Sequence, residues 1–361
     1  MRWTLRRRWR GRQRTRRVWA GAGGGGGVLR LAPQAALATL YERKVPNFSP
    51  DLYATERLYA RADDGTQVPI SLVYRKGEGG VGRLGDGSRL LLKGYGSYGY
   101  AYDPGFDKAA LSLCDRGFAC AIAHIRGGGE MGRRWYELEG KLLTKKNTFL
   151  DFVACARHLC TQGWGQAGKV AISGGSAGGL LMGVCLNTHP EMWGAVLSHV
   201  GFVDVVHSVA DPTVPLAVTE WEEWGNPNEV RAVDPSLSPF RFGLSHKRST
   251  LFTPLHAHSL FFFFFMQEEY YRYISSYSPM ENIPKGPVAW PPTLLTAGLH
   301  DQRVCYWEPA KFAQRMRQVA VDPRRVLLKV DMGAGHFSYS DRFQGERETA
   351  FELAFLVHNA K

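Results

Sequence analysis

Short apolar runs alternate with segments of helical period along most of the chain, and this pattern predicts the fold class. "RLYARADDGTQVPISLVYRK" (57–76) is two β-rich runs around Asp-Gly, a hairpin signal. "RLLLKGY", "ACAIAHI", "KVAIS", "AVLSHV", "TLLTAG" and "RVLLKVDM" read as buried strands. Between them, "FDKAALSLCDRG", "NTFLDFVACARHLC" and "AGGLLMGVCLNTH" read as helices. In the second of these, Phe149, Phe152, Val153, Ala156 and Leu159 share one face, with Asn147 as the expected N-cap. Strands buried on both faces and separated by helices predict an α/β fold: a doubly wound, mostly parallel sheet with an antiparallel N-terminal hairpin.

Two stretches break the pattern. Residues 1–40 are Arg- and Gly-rich and lack the apolar core of a secretory signal. They are expected to be a disordered extension, with a transit peptide, a nucleic-acid tail or a misplaced start codon as alternatives. Residues 230–267 have neither helical nor strand period and carry a run of five Phe too short to cross a membrane. A retained intron would explain them. Val230-Arg231 is encodable as a splice donor, Gln267 as an acceptor, and the 38 codons keep the frame. A lid loop with an exposed aromatic patch is the rival reading. Residues 41–361 are otherwise expected to be one hydrolase domain interrupted by that insert.

Charge changes little once it is located. Of the net +12, residues 1–40 supply +10 and residues 230–267 supply +3, so the rest carries −1. A basic nucleic-acid surface is therefore not expected on the body of the protein, nor is a membrane span. The six cysteines form no C-x-x-C pair and have no zinc spacing, so free thiols are expected, with no metal and no cofactor.

Chemistry enters at "SGGSAGG" (173–179). Alone it resembles a linker. After the strand "KVAIS" and before an apolar helix, Gly174-Gly175-Ser176-Ala177-Gly178 is instead the G-x-S-x-G turn that presents a serine nucleophile. Such a serine needs a base and an orienting carboxylate, in the chain order Ser, Asp, His. Asp301 and His336 each follow a predicted strand, where open α/β sheets build their sites. His300 adjoins Asp301 in sequence and is expected to point elsewhere.

The strings "GYGSYG" (94–99), "HIRGGGEMGRRWYE" (124–137), "KKNTFLDF" (145–152), "GGSAGGLLMG" (174–183), "EWEEWGNPN" (220–228), "AGLHDQRVCYWEPAKF" (297–312) and "GAGHF" (333–337) together resemble the prolyl oligopeptidase family, in particular its oligopeptidase B branch. The resemblance implies an α/β-hydrolase fold and cleavage of short peptides by a serine-type endopeptidase through an acyl-enzyme. It implies Ser176, Asp301 and His336 as the triad, and the Ala177 amide and Tyr95 hydroxyl as the oxyanion donors. Arg303 would bind a substrate carbonyl. Glu220 and Glu222, in an acidic run between tryptophans, would select Arg or Lys before the cut, and Asp103 would favour a second basic residue. Gly105 stands where the family has a companion acid, and Lys93 where it has an aromatic. The family carries a β-propeller ahead of its hydrolase domain, and no blade-length repeat is present in this sequence.

A cytoplasmic location is expected, or a plastid or mitochondrial one if residues 1–40 are a transit peptide. An esterase and an inactive or nucleic-acid-binding product are the competing function classes. Oligomeric state is not legible.

Overall fold

Eight strands form one sheet in this computed structural model, which describes residues 45–77, 89–228, 269–336 and 342–360. The readings made of residues 1–40 and 230–267 lie outside the described residues. The strands are β1 (Tyr53–Arg61), β2 (Gln67–Arg75), β3 (Arg89–Lys93), β4 (Phe118–Ala123), β5 (Val170–Gly175), β6 (Trp193–His199), β7 (Thr293–Gly298) and β8 (Val326–Asp331). Their order is β1-β2-β4-β3-β5-β6-β7-β8. β1 and β2 form the expected hairpin, Tyr53 opposite Arg75, and β2 runs antiparallel to β4. From β4 across to β8 every pairing is parallel.

The helices are α1 (Lys108–Cys114), α2 (Arg133–Glu137), α3 (Lys146–Thr161), α4 (Ala177–Thr188), α5 (Val205–Ala210), α6 (Ala217–Trp224), α7 (Glu269–Ser275), α8 (Trp307–Val319) and α9 (Arg342–Asn359). Successive β3 residues point to opposite faces, as strand geometry requires. Leu90 and Leu92 join a core with Phe152 of α3, Leu180 of α4 and Phe312 of α8. Leu91 joins the opposite core with Leu113 of α1 and Phe355 of α9. All five apolar residues expected on one face of α3 are buried. Burying each Phe or Leu there contributes about 1.5–3 kcal/mol.

The cap of α3 differs from the expectation. The helix starts two residues earlier than that cap implies, at Lys146, with Lys145 at the N-cap and no side-chain cap. Asn147 Nδ2 instead donates to the Glu139 carbonyl at 3.0 Å, because the preceding residues already turn as a 3₁₀ helix (Leu142–Thr144). The loop after β4 is tied to α3 by Arg126, whose guanidinium grips Asp151 at 2.6 and 2.8 Å. Asp64 in the hairpin turn meets the same guanidinium at 2.5 Å. Burial pushes the Asp64 carboxyl up, but that contact and the bonds from Thr66 outweigh it and bring it to about 2. Among the described residues, no helix is long and apolar enough to cross a membrane.

Candidate active site

The loops at the carboxyl ends of β3, β5, β7 and β8 converge, and each delivers one candidate side chain. Ser176 sits between β5 and α4 with φ 57° and ψ −120°, a backbone region that L-residues rarely adopt. Its amide donates to the His199 carbonyl of β6 at 2.8 Å. Its own carbonyl accepts from Gly179 at 2.8 Å and from Phe202 at 3.1 Å. The flanking glycines are needed for closeness. A Cβ on Gly174 would lie 2.4 Å from the Gly178 carbonyl oxygen, and one on Gly178 would lie 2.8 Å from that of Gly94. These distances are why the turn reads G-x-S-x-G.

His336, after β8, reaches both partners. Its Nε2 is 3.1 Å from Ser176 Oγ, and its Nδ1 is 2.7 Å from Asp301 Oδ2. Asp301, after β7, uses Oδ1 to accept the amides of Arg303 at 2.8 Å and Val304 at 3.0 Å. Burial pushes the Asp301 carboxyl up. The bonds from His336 and the two amides outweigh burial and hold it below the ordinary aspartate range. With Nδ1–H donated to that carboxylate, the Nε2 lone pair faces the serine hydroxyl. This is the arrangement of a nucleophile, a base and its orienting group. His300 is exposed, and its amide donates to the Ala334 carbonyl at 3.0 Å.

Ala177 is the first residue of α4, so its N–H has no acceptor within the helix and points toward the serine end. Tyr95, two residues past β3, has its hydroxyl near Ser176. Burial, reinforced by the charges of Glu223 and Glu220, pushes its phenol up to about 12, so the hydroxyl stays a proton donor. Arg303 is exposed and close enough for its charge to act on Tyr95. Asp103 is exposed on the same β3–α1 loop, eight residues beyond Tyr95. Lys93, at the end of β3, pairs with Asp107 at 3.1 Å.

Helix α6 sorts its three acids. Glu220 Oε2 accepts from the Tyr98 hydroxyl and from Trp224 Nε1, both at 2.7 Å. Glu223 is buried, bonded through Oε1 to Lys145 Nζ at 2.6 Å and through Oε2 to the Tyr98 amide at 3.1 Å. Glu222 does not join them. It is 83% exposed, with Oε1 4.0 Å from Lys141 Nζ. Residues two apart on a helix do not share a face, so the expected pairing of Glu220 with Glu222 gives way to Glu220 with Glu223. Sequence reasoning counted Glu223 in the acidic run without giving it a role, and it passed over Tyr98 and Lys145. The only available signal was their place inside "GYGSYG", "KKNTFLDF" and "EWEEWGNPN".

Among the described residues, one group has metal-ligand atoms within 4.8 Å of one another: Asp204, His207 and Glu281. Lys311 Nζ already pairs with Asp204 there, which supplies the cation.

Residues 104–242 and 240–361 match the model of the prolyl oligopeptidase family. The chain belongs to that family. The two matched stretches meet at 240–242, inside the segment read as an insert. Among curated members, the chain is 40% identical over 319 residues to dipeptidyl aminopeptidase BI of Pseudoxanthomonas mexicana, covering 88% of this chain and 38% of that protein. It is 38% identical over 306 residues to protease 2 of Moraxella lacunata, covering 84% and 38%. Among solved members, oligopeptidase B from Leishmania major superposes with a TM-score of 0.72 at 40% identity, over 87% of this chain and 38% of that one. Oligopeptidase B from Trypanosoma brucei with covalently bound antipain gives 0.71 at 42% identity, over the same shares. The fold is the family's α/β-hydrolase. The chain spans 38% of the length of these relatives.

Proposed function

We propose that this chain is a serine peptidase that cuts short peptides after Arg or Lys. The observation that carries the reading is the hydrogen-bonded line Ser176–His336–Asp301 on a strained strand-to-helix turn. Ser176 Oγ attacks the scissile carbonyl and passes its proton to His336 Nε2. The oxyanion is met by the Ala177 amide and the Tyr95 hydroxyl, donors that are already in place before charge develops. His336 then returns the proton to the leaving amine, and water repeats the sequence on the acyl-enzyme.

Glu220 is the acid that suits a basic side chain before the cut. Both of its described bonds use Oε2, which leaves Oε1 for a guanidinium or ammonium. Glu223 is paired with Lys145, which leaves Glu220 to meet the substrate's cation. In this reading Arg303 meets a substrate carbonyl, and Asp103 meets a second basic residue further from the cut. The covalent adduct in the trypanosomal relative agrees with a nucleophilic route.

The test is kcat/KM on a fluorogenic peptide amide with Arg at the cut site, beside Ser176→Ala. Cleavage that vanishes in the variant supports the reading. Equal rates in both proteins, or cleavage of simple acyl esters alone, would overturn it.

A further inference from the structure

Lys145 is fully buried, and none of the proposed bond-making steps uses it. All three of its N–H groups are spent. They go to the Gly96 carbonyl at 2.8 Å, to Ser97 Oγ at 2.7 Å and to Glu223 Oε1 at 2.6 Å. Its ammonium also lies 4.7 Å from the centre of the Trp224 ring. Two of these partners belong to the loop that carries Tyr95. The others belong to α6, the helix that carries Glu220. Glu223 closes the circuit by accepting the Tyr98 amide. Gly96, Ser97 and Tyr98, the three residues directly after Tyr95, are thus all fastened through one ion pair.

Stability alone does not account for this pair. Taking an ammonium out of water is costly, and apolar residues of similar volume often serve a core as well or better. What the pair supplies is fixed geometry. An oxyanion donor works only if it is held within about 0.5 Å of its productive position. Tyr95 stands on a loop, and loops hold position less well than helices or strands.

We propose that Lys145 is a positioning residue. With Glu223 it locks the Tyr95 loop to α6, so that the oxyanion donor and the acidic pocket form one rigid unit. The inference rests on the reading of Ser176 as nucleophile and Tyr95 as oxyanion donor.

A double-mutant cycle tests it. Lys145→Met with Glu223→Gln removes both charges together, which avoids leaving one buried and unpaired. This paired variant is expected to lose at least tenfold in kcat on the Arg amide. Labelling of Ser176 by a neutral fluorophosphonate, in which Oγ displaces fluoride from phosphorus and His336 takes the proton, is expected to slow alongside it. In a Tyr95→Phe background the same pair is expected to cost less than twofold, because the hydroxyl it positions is gone. Should the paired variant not fold, Ser97→Ala removes one of the three bonds, and its smaller loss must vanish in the same background. An unchanged kcat, or the full loss repeated without the Tyr95 hydroxyl, would overturn the proposal. Wild-type protein that does not label at Ser176 overturns both readings. Labelled wild type with additive losses overturns this one alone.

Discussion

Asp301 divides its carboxylate between His336 and the backbone. One oxygen lies 2.7 Å from the imidazole Nδ1, and the other accepts two amides of its own loop. The loop therefore fixes the carboxylate, and the carboxylate fixes the tautomer. Asp301→Asn replaces an acceptor with a donor on one side. The imidazole is then expected to turn its lone pair toward position 301 and its proton toward Ser176. The expected loss is about 10,000-fold in kcat. Near-ultraviolet circular dichroism should be unchanged, since the volume is conserved; a loss under tenfold would argue against His336 as the base.

In the proposed pocket, Glu220 and Glu222 take different parts although they look alike in sequence. Glu220→Gln is expected to raise KM for Arg substrates about 10- to 100-fold, the size of a charge-assisted bond worth about 1.5–3 kcal/mol. Glu222→Gln, on a side chain 83% exposed, is expected to change KM less than twofold. Comparable effects at both positions would return Glu222 to the pocket.

Gly174→Ala places a methyl 2.4 Å from a backbone oxygen that cannot swing aside. Overpacking of this kind costs about 1–3 kcal/mol. The urea midpoint should fall, and activity should fall further than stability, because the displaced atoms carry Ser176. An alanine variant with wild-type midpoint and rate would mean that the turn is slacker than its geometry implies.

Glu308 of α8 gives a pH signature. It is buried, accepting from the Ser208 hydroxyl at 2.8 Å and the Asp204 amide at 3.1 Å. Burial is the largest cause pushing its carboxyl up to about 8 from 4.5. Below about 4.5 the group is protonated folded or unfolded, and its contribution is fully present. As pH rises toward 8, the unfolded chain sheds the proton first, so stability falls by at most about 1.4 kcal/mol per pH unit. Urea unfolding at pH 5, 6.5 and 8 should show a steeper decline for wild type than for Glu308→Gln. Parallel declines would place the proton elsewhere.

The sheet was legible because its strands are short apolar runs with little competing pattern, and β7, buried at every position, is the clearest of them. That Ser176, Asp301 and His336 would stand on neighbouring loops was legible through chain order, since each follows a strand. The acidic helix was not. Which of three consecutive-looking acids faces inward depends on the phase of α6, and that is set by Trp224 and Tyr98 packing edge to face at 6.0 Å. Lys145 was hidden for a related reason: a lysine in sequence looks solvated until its acceptors arrive from residues 49 and 78 positions away. The helix cap at Asn147 failed because a preceding 3₁₀ turn took over the role that a capping side chain usually fills.

All six cysteines are free, and five of them are buried. Burial holds the thiols of Cys155, Cys160 and Cys185 above their ordinary range, and so helps do for Cys305, near 11. In the folded protein they are therefore poor targets for alkylation, which needs thiolate and access together. The protein carries its own clock for unfolding. An alkylating reagent at neutral pH should react with the buried sulfurs only as fast as the sheet and its helices come apart. Mass added at each cysteine over time would then rank the two cores by how often they open, with Cys114 and Cys120 reporting one face and Cys155 and Cys185 the other.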